Sequence, residues 1–266
     1  TTPGLSAERV LGVDASYNLR YGDFKARISG YYTRIYDQSK VISYYDDVAA
    51  TFTNFAMSGI DKVHFGLEAA VSIPIYHTLA LNGAVSWGQY TYDSNPYYLQ
   101  TQDNSGDIVS DGYVYWKDFR VESTPQTAVN VGLSWRSNNN IYLSADFNYY
   151  NNMYLSMSPI YRTDAVITGG MAPGDIEHLR RQEKFDSAYT LNASIGKNWY
   201  IHRKYTLGFS LDVKNILNNQ DIKTGGYEQT RLSKNTETTV TTYQAFDSKY
   251  FYMFGTTYYL NLYFRF

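Results

Sequence analysis

The 266-residue chain contains no cysteine, which removes disulfides, thiolate metal sites, iron–sulfur clusters and cysteine nucleophiles together. It also has no apolar run approaching the roughly 18 residues that a membrane-crossing helix requires, so helical spans are excluded. Neither sign of charge dominates: 23 basic against 25 acidic residues give a net charge of −2, and no nucleic-acid partner is implied. The N-terminal TTPGLSAERV has neither a charged leader nor an apolar stretch, so no signal peptide is visible. For an exported chain this implies processing, or a start partway through a longer polypeptide. The four histidines, His64, His77, His178 and His202, are scattered without metal-ligand spacing, and no G-x-S-x-G motif occurs. No enzyme, metal or cofactor is expected.

What the chain has is tyrosine. Its 29 Tyr, with 13 Phe and 4 Trp, make it 17% aromatic while mean hydropathy stays at −0.42. These fall in a period-two pattern, which puts alternate side chains on opposite faces of a strand. In the last stretch, Tyr250 to Phe266, residues Tyr258, Leu260, Leu262, Phe264 and Phe266 share one parity. Thr257, Tyr259, Asn261, Tyr263 and Arg265 share the other. Such a strand suits a transmembrane β-barrel, where one face meets hydrocarbon and the other water, with aromatics at both interfaces. It also suits the core of a soluble sandwich, so the remaining strands must decide.

They repeat the pattern. Apolar residues alternate over Leu11–Leu19, Phe24–Tyr32, Val63–Val71, Leu79–Trp87, Val129–Trp135, Ile141–Tyr149, Tyr189–Ile195 and Leu207–Val213. The second strand is expected to run past Tyr36, the fifth to start near Phe119 with imperfect pairing at Pro125, and the segment from Asp46 to Asn54 to be a loop. A long loop is expected from Asp93 to Tyr113, and a short helix between Asp175 and Lys184 inside the irregular segment from Met157 to Asp186. Short turns near residues 22, 76, 138 and 202 alternate with long connections after 45, 93, 157 and 218. Outer-membrane barrels alternate short periplasmic turns with long extracellular loops in this way. Trp135 and Trp199 then fall at periplasmic ends, and Trp87, Tyr149 and Tyr250 toward outer ends. Nine strands are too few and odd in number for a single-chain bacterial barrel, and an open edge in lipid leaves amides unpaired. The expectation is a fragment, completed by another polypeptide.

Several segments also resemble TonB-dependent outer-membrane receptors: Ser123-Thr-Pro-Gln-Thr127, Phe209-Ser-Leu-Asp-Val-Lys-Asn-Ile-Leu-Asn-Asn219, Thr224-Gly-Gly-Tyr-Glu-Gln229, and Lys249-Tyr-Phe-Tyr through Leu262-Tyr-Phe-Arg-Phe266. The resemblance covers most of the chain and is strongest after Ser123. It implies an all-β, antiparallel transmembrane β-barrel in which residues 1–266 supply about nine C-terminal strands of 22. The plug and TonB box would lie on the missing N-terminal portion. It implies active, TonB-coupled uptake of a large scarce solute such as a glycan, peptide, cobalamin or metal chelate, in the outer membrane of a Gram-negative cell. Tyr258, Phe264 and Phe266 resemble the terminal signal that barrel-assembly machinery reads. A passive porin or a structural barrel of a surface assembly is the second reading, and a soluble carbohydrate-binding sandwich the third.

Substrate contacts are expected from aromatic and basic residues of the outer loops: Tyr97, Tyr98, Tyr113, Trp116, Tyr161, Arg162, Arg180, Arg181 and Tyr227. The same residues would equally serve to pack the loops on one another. Lys25, Arg27, His64, Glu68, Asp146 and Asp212 are expected to face the lumen, toward plug or water. Expected partners are the N-terminal fragment of the same receptor, TonB through its plug, a surface lipoprotein, and lipid with lipopolysaccharide.

Overall fold

The computed structural model describes residues 4–47, 49–168, 177, 179–202, 204–235 and 242–266. Its first strands are β1 (Arg9–Tyr21), β2 (Phe24–Asp46), β3 (Thr51–Tyr76), β4 (Leu79–Tyr92), β5 (Tyr97–Gln102) and β6 (Ile108–Tyr113). These are followed by β7 (Thr127–Arg136), β8 (Ile141–Asn151), a short helix α1 (Asp164–Thr168), β9 (Ala188–Ile201) and β10 (Tyr205–Lys214). The last are β11 (Lys223–Tyr227), β12 (Leu232–Asn235), β13 (Thr242–Ala245), β14 (Lys249–Tyr252) and β15 (Thr257–Arg265). The main sheet runs β1-β2-β3-β4-β7-β8-β9-β10-β15, antiparallel throughout, and the β5–β6 hairpin attaches to the far end of β3. Among the described residues β1 and β15 do not pair with each other, so the sheet is open at both edges. No described helix is long and apolar enough to cross a membrane.

Register aligns the alternation of each strand with that of its neighbours. One row reads Tyr17, Ile28, Ala69, Val85, Val129, Tyr149 and Tyr189. Another reads Trp135, Leu143, Ile195, Leu211 and Leu260. The row on the opposite face between these is Asn18, Arg27, Ala70, Ala84, Asn130, Asn148 and Thr190. Polar side chains there bond across strands: Asn130 Nδ2 donates to Asn148 Oδ1 at 2.8 Å, and the Ser144 and Ser194 hydroxyls meet at 2.8 Å.

The apolar face is the more open one. Leu143 and Phe147 are exposed while Ser144 and Asp146 between them are half-buried, and Leu260 and Leu262 are 60% and 71% exposed. A sandwich core would bury these residues, so a soluble fold that buries this face within the chain is excluded.

Three tyrosines lie flat across glycines of the adjoining strand on the polar face. The Tyr31 ring covers Gly66 and Gly88 and its hydroxyl meets that of Tyr90 at 2.6 Å. Tyr142 covers Gly196 and donates to the Phe209 carbonyl at 3.3 Å, and Tyr263 covers Gly208 and donates to Asn198 Oδ1. A Cβ on Gly196 or Gly208 would overlap the ring above it. Glycine is therefore required by the close approach of the ring, with no demand on φ.

The hydrophobic core is not in this part of the sheet. It gathers beyond the ends of β4, β7, β8 and β9, where Tyr44, Phe55, Met57, Ile60, Tyr92, Tyr98, Val114, Trp116, Met157, Ile160, Tyr161, Val166 and Leu179 pack together. Four sequence expectations change here. The segment from Asp46 to Asn54 is mostly strand, because β2 and β3 continue past the main sheet into this layer, where β5 and β6 extend them. The segment from Asp93 to Tyr113 holds the β5–β6 hairpin. The fifth main strand starts at Thr127 rather than near Phe119, since Pro125 has no N–H for the ladder. The terminal stretch from Tyr250 splits: Tyr250 sits in β14, paired with β11, and bonds Glu183 Oε2 at 2.7 Å, so it belongs to the loop layer and not to an aromatic ring around the sheet. Of the helix expected between Asp175 and Lys184, Asp175, Ile176 and His178 lie outside the described residues, as do Gly169 and Gly170. The described helix α1 falls just before them.

Candidate functional site

Side-chain amides and carboxylates take the place of missing ladder bonds in the loop layer. Beyond Pro125, Gln126 uses its amide on the backbone of Tyr90, accepting from its N–H at 3.3 Å and donating to its carbonyl at 3.1 Å. Gln182 does the same to Arg120, at 2.8 Å in both directions. Asn95 Oδ1 accepts from the N–H groups of Trp116 and Lys117 at 3.0 and 2.9 Å, turning the chain so that the Trp116 ring enters the core against Tyr92. Buried backbone away from sheets must find partners, and amides supply a donor and an acceptor together.

At the centre of this layer is an ion pair. Arg162, on a single 3-10 turn (Ile160–Arg162), is 1% exposed. It donates from Nη1 to Glu228 Oε2 at 2.5 Å, from Nη2 to Glu228 Oε1 at 2.9 Å, and from Nη1 to the Ser158 carbonyl at 3.1 Å, while its guanidinium lies over Phe119. Glu228 also accepts from the Ser158 N–H at 2.8 Å. Next to it the Tyr161 hydroxyl donates to the Arg231 carbonyl at 2.8 Å, and burial pushes that hydroxyl up to about 12. Arg231 in turn grips Asp47 with two 3.0 Å bonds, which holds the Asp47 carboxyl below the usual carboxylate range. These bonds tie the segment after β11 to the turn between β2 and β3, 184 residues away.

The nine loop residues named from the sequence divide by exposure. Tyr98, Trp116, Tyr161 and Arg162 are buried and hold the layer together. Tyr98 stacks on Phe55 at 4.6 Å. Tyr113 and Tyr227 are 53% and 45% exposed, Arg180 and Arg181 are exposed, and Tyr97 is half-buried with its hydroxyl on Asp111 at 2.5 Å. Tyr97 and Tyr113 form an edge-to-face pair at the rim. Nothing in a lone Glu or Gln marks Glu228, Gln126 or Gln182 as a partner for a distant loop.

Lys25, Arg27, His64, Glu68, Asp146 and Asp212 all carry the polar-face parity of their strands. Arg27 and Glu68 line a depression of about 310 Å³, and Lys25 with Arg27 an adjoining one of about 640 Å³. Among the described residues no salt bridge joins any of the six. His64 is half-buried beside the Tyr90 ring, His77 stacks edge-on with Tyr76, and His202 sits at a turn with φ of 50°. Among the described residues no group of three or more potential ligands could hold a metal ion. Tyr258, Phe264 and Phe266 lie on the apolar side of β15 and at its end, all well exposed.

No family model matches the chain, and no curated protein is similar to it. Among solved structures it is similar to the FrpB iron transporter from Neisseria meningitidis (F3-3 variant), with a TM-score of 0.50 and 14% identity. The similarity covers 99% of this chain and 32% of that one, so the chain spans about a third of that transporter's length. At this identity the likeness is one of fold.

Proposed function

We propose that residues 1–266 form the C-terminal barrel portion of a TonB-dependent outer-membrane receptor that takes up a large scarce solute. The observation that carries this reading is the open sheet itself, with continuous apolar rows on its exposed face and polar rows on the other. Hydrocarbon accepts the first face and an aqueous or plugged lumen the second. An unpaired edge in lipid costs several kcal/mol per amide, so β1 and β15 each take a strand from the N-terminal portion of the receptor. The apolar-cored loop layer then stands outside the cell, with Tyr97, Tyr113, Tyr227, Arg180 and Arg181 open to solute or to a surface lipoprotein. Lys25, Arg27, His64, Glu68, Asp146 and Asp212 face the plug through which TonB acts. Tyr258, Phe264 and Phe266 sit at the periplasmic interface. The fold likeness to part of an iron transporter supports a transport role.

The test has two parts. Outer-membrane fractions are solubilised, and every polypeptide that copurifies with the chain is identified by intact mass and N-terminal sequencing. A companion carrying a plug domain is expected, and uptake by intact cells is expected to stop when the proton-motive force is collapsed. An open lumen with uptake indifferent to the collapse would make the protein a passive porin, and recovery without detergent would overturn the membrane reading.

A further inference from the structure

The β2–β3 arm, the β5–β6 hairpin, the 3-10 turn and α1 enclose a cavity of about 230 Å³ within the loop layer. Phe55, Tyr98, Ile160 and Val166 give it apolar walls, and Asp46, Gln100, Ser110 and Thr230 bring polar groups to it. Asp46 Oδ2 accepts from Gln100 Nε2 at 2.6 Å and Oδ1 from the Ala49 N–H at 3.1 Å. The Ser110 hydroxyl meets that of Tyr98 at 2.9 Å. Asp47 and Arg231, joined by their two-point bridge, are the chain neighbours of Asp46 and Thr230. That bridge therefore fixes the spacing of two walls.

We propose that this cavity binds one neutral, hydroxyl-rich ring of monosaccharide size. The carboxylate is already met by neutral donors, and an amide with hydroxyls both gives and accepts hydrogen bonds. A ligand whose groups also do both matches that set. An ammonium only donates, and so would use only the accepting half of that set. The C–H face of a ring meets the apolar walls, as concave sites combine an apolar lining with a few directed polar groups. The inference goes beyond the transport reading: the cavity lies within one chain, and its occupancy is measured without an uptake step. A failed uptake experiment and a failed binding experiment are therefore distinct results.

The experiment is saturation-transfer NMR on the detergent-solubilised protein with all its copurifying polypeptides. The probes are the methyl glycosides of glucose, galactose, mannose and N-acetylglucosamine, with methylammonium as the cationic probe. Transfer to the ring protons of at least one glycoside is expected, weakened about tenfold in Asp46→Asn by loss of a hydrogen bond to a charged acceptor. Ala165, which lines the cavity from α1, is exposed, so Ala165→Trp fills the opening without disturbing the core and is expected to abolish transfer. Transfer from no glycoside, transfer from methylammonium alone, or transfer that survives Ala165→Trp overturns the proposal.

Discussion

Replacing Arg162 by methionine removes the centre of the loop layer while roughly keeping its volume. Glu228 has three close donors, two on the Arg162 guanidinium and one on the Ser158 backbone, and its side chain is 10% exposed. The substitution strips two of the three and leaves a nearly buried carboxylate on a single N–H. Breaking a buried pair by removing one partner costs about 3–5 kcal/mol, mainly because the surviving charge is uncompensated. That corresponds to a factor of at least a hundred in the opening equilibrium of the layer. Hydrogen exchange is the assay, because it reports local opening segment by segment. Protection should fall about a hundredfold or more over residues 153–168 and 223–231 and stay unchanged in the paired halves of β8, β9 and β10. Adding Glu228→Met should restore most of the loss, since two apolar residues in place of a buried pair are often neutral or better. Unchanged protection in the single variant, or a double variant as damaged as the single, would refute the reasoning.

Three further outcomes follow from the same structure. Leu211→Lys, in the row with Ile195 and Leu260, should destabilise the assembled protein by about 2–4 kcal/mol in bilayers, whereas Ser210→Lys on the opposite face should be nearly neutral; heat-modified migration on gels separates them. Gly196→Ala must displace the Tyr142 ring from its place above the backbone, and overpacking of this kind costs about 1–3 kcal/mol; the same gel assay reads it, and Tyr142→Ala in that background should recover part of the loss. Burial raises the Tyr161 pKa to about 12 in the folded layer, whereas an unfolded tyrosine ionises near 10. Its contribution is therefore complete below pH 10 and lost between 10 and 12. The opening free energy of this segment, from exchange corrected for the intrinsic base-catalysed rate, should fall less steeply across that window in Tyr161→Phe than in the parent protein.

How much of this was legible in the sequence depended on whether period two ran unbroken. In β8 to β10 and β15 it did, and the alternation of Leu143, Phe147, Leu207 and Leu260 with polar neighbours gave the faces correctly. In β2 it did not. Below Ile35 the polar-face residues are odd, Lys25, Arg27 and Ser29, whereas above the bulges near Asp37 and Gln38 the residues turned into the core are even, Ile42 and Tyr44. In β3 the change falls near Gly59, with His64 and Glu68 on one parity below it and Thr53, Phe55 and Met57 on the other above. A pattern that changes phase reads as the end of a strand, which is why the outer arm looked like a loop. The buried pairings, Arg162 with Glu228 and Gln126 with Tyr90, were invisible for a different reason: they join residues distant in the chain, and no local spacing announces them. The aromatic wealth of the loops was plain, but not which rings would turn inward.

The phase change has a consequence for how such chains diversify. A strand of 26 residues spans about 85 Å at 3.3 Å per residue, well over twice the thickness of a hydrocarbon layer. If one register governed all of it, inserting a single residue in the outer arm would rotate every side chain below it to the wrong side. The one extra residue in β2 between Ile35 and Gln38, and the one in β3 between Met57 and Ile60, act as a slip coupling instead. Beyond them the arm can change length by an odd or an even number of residues while the rows of the main sheet keep their faces.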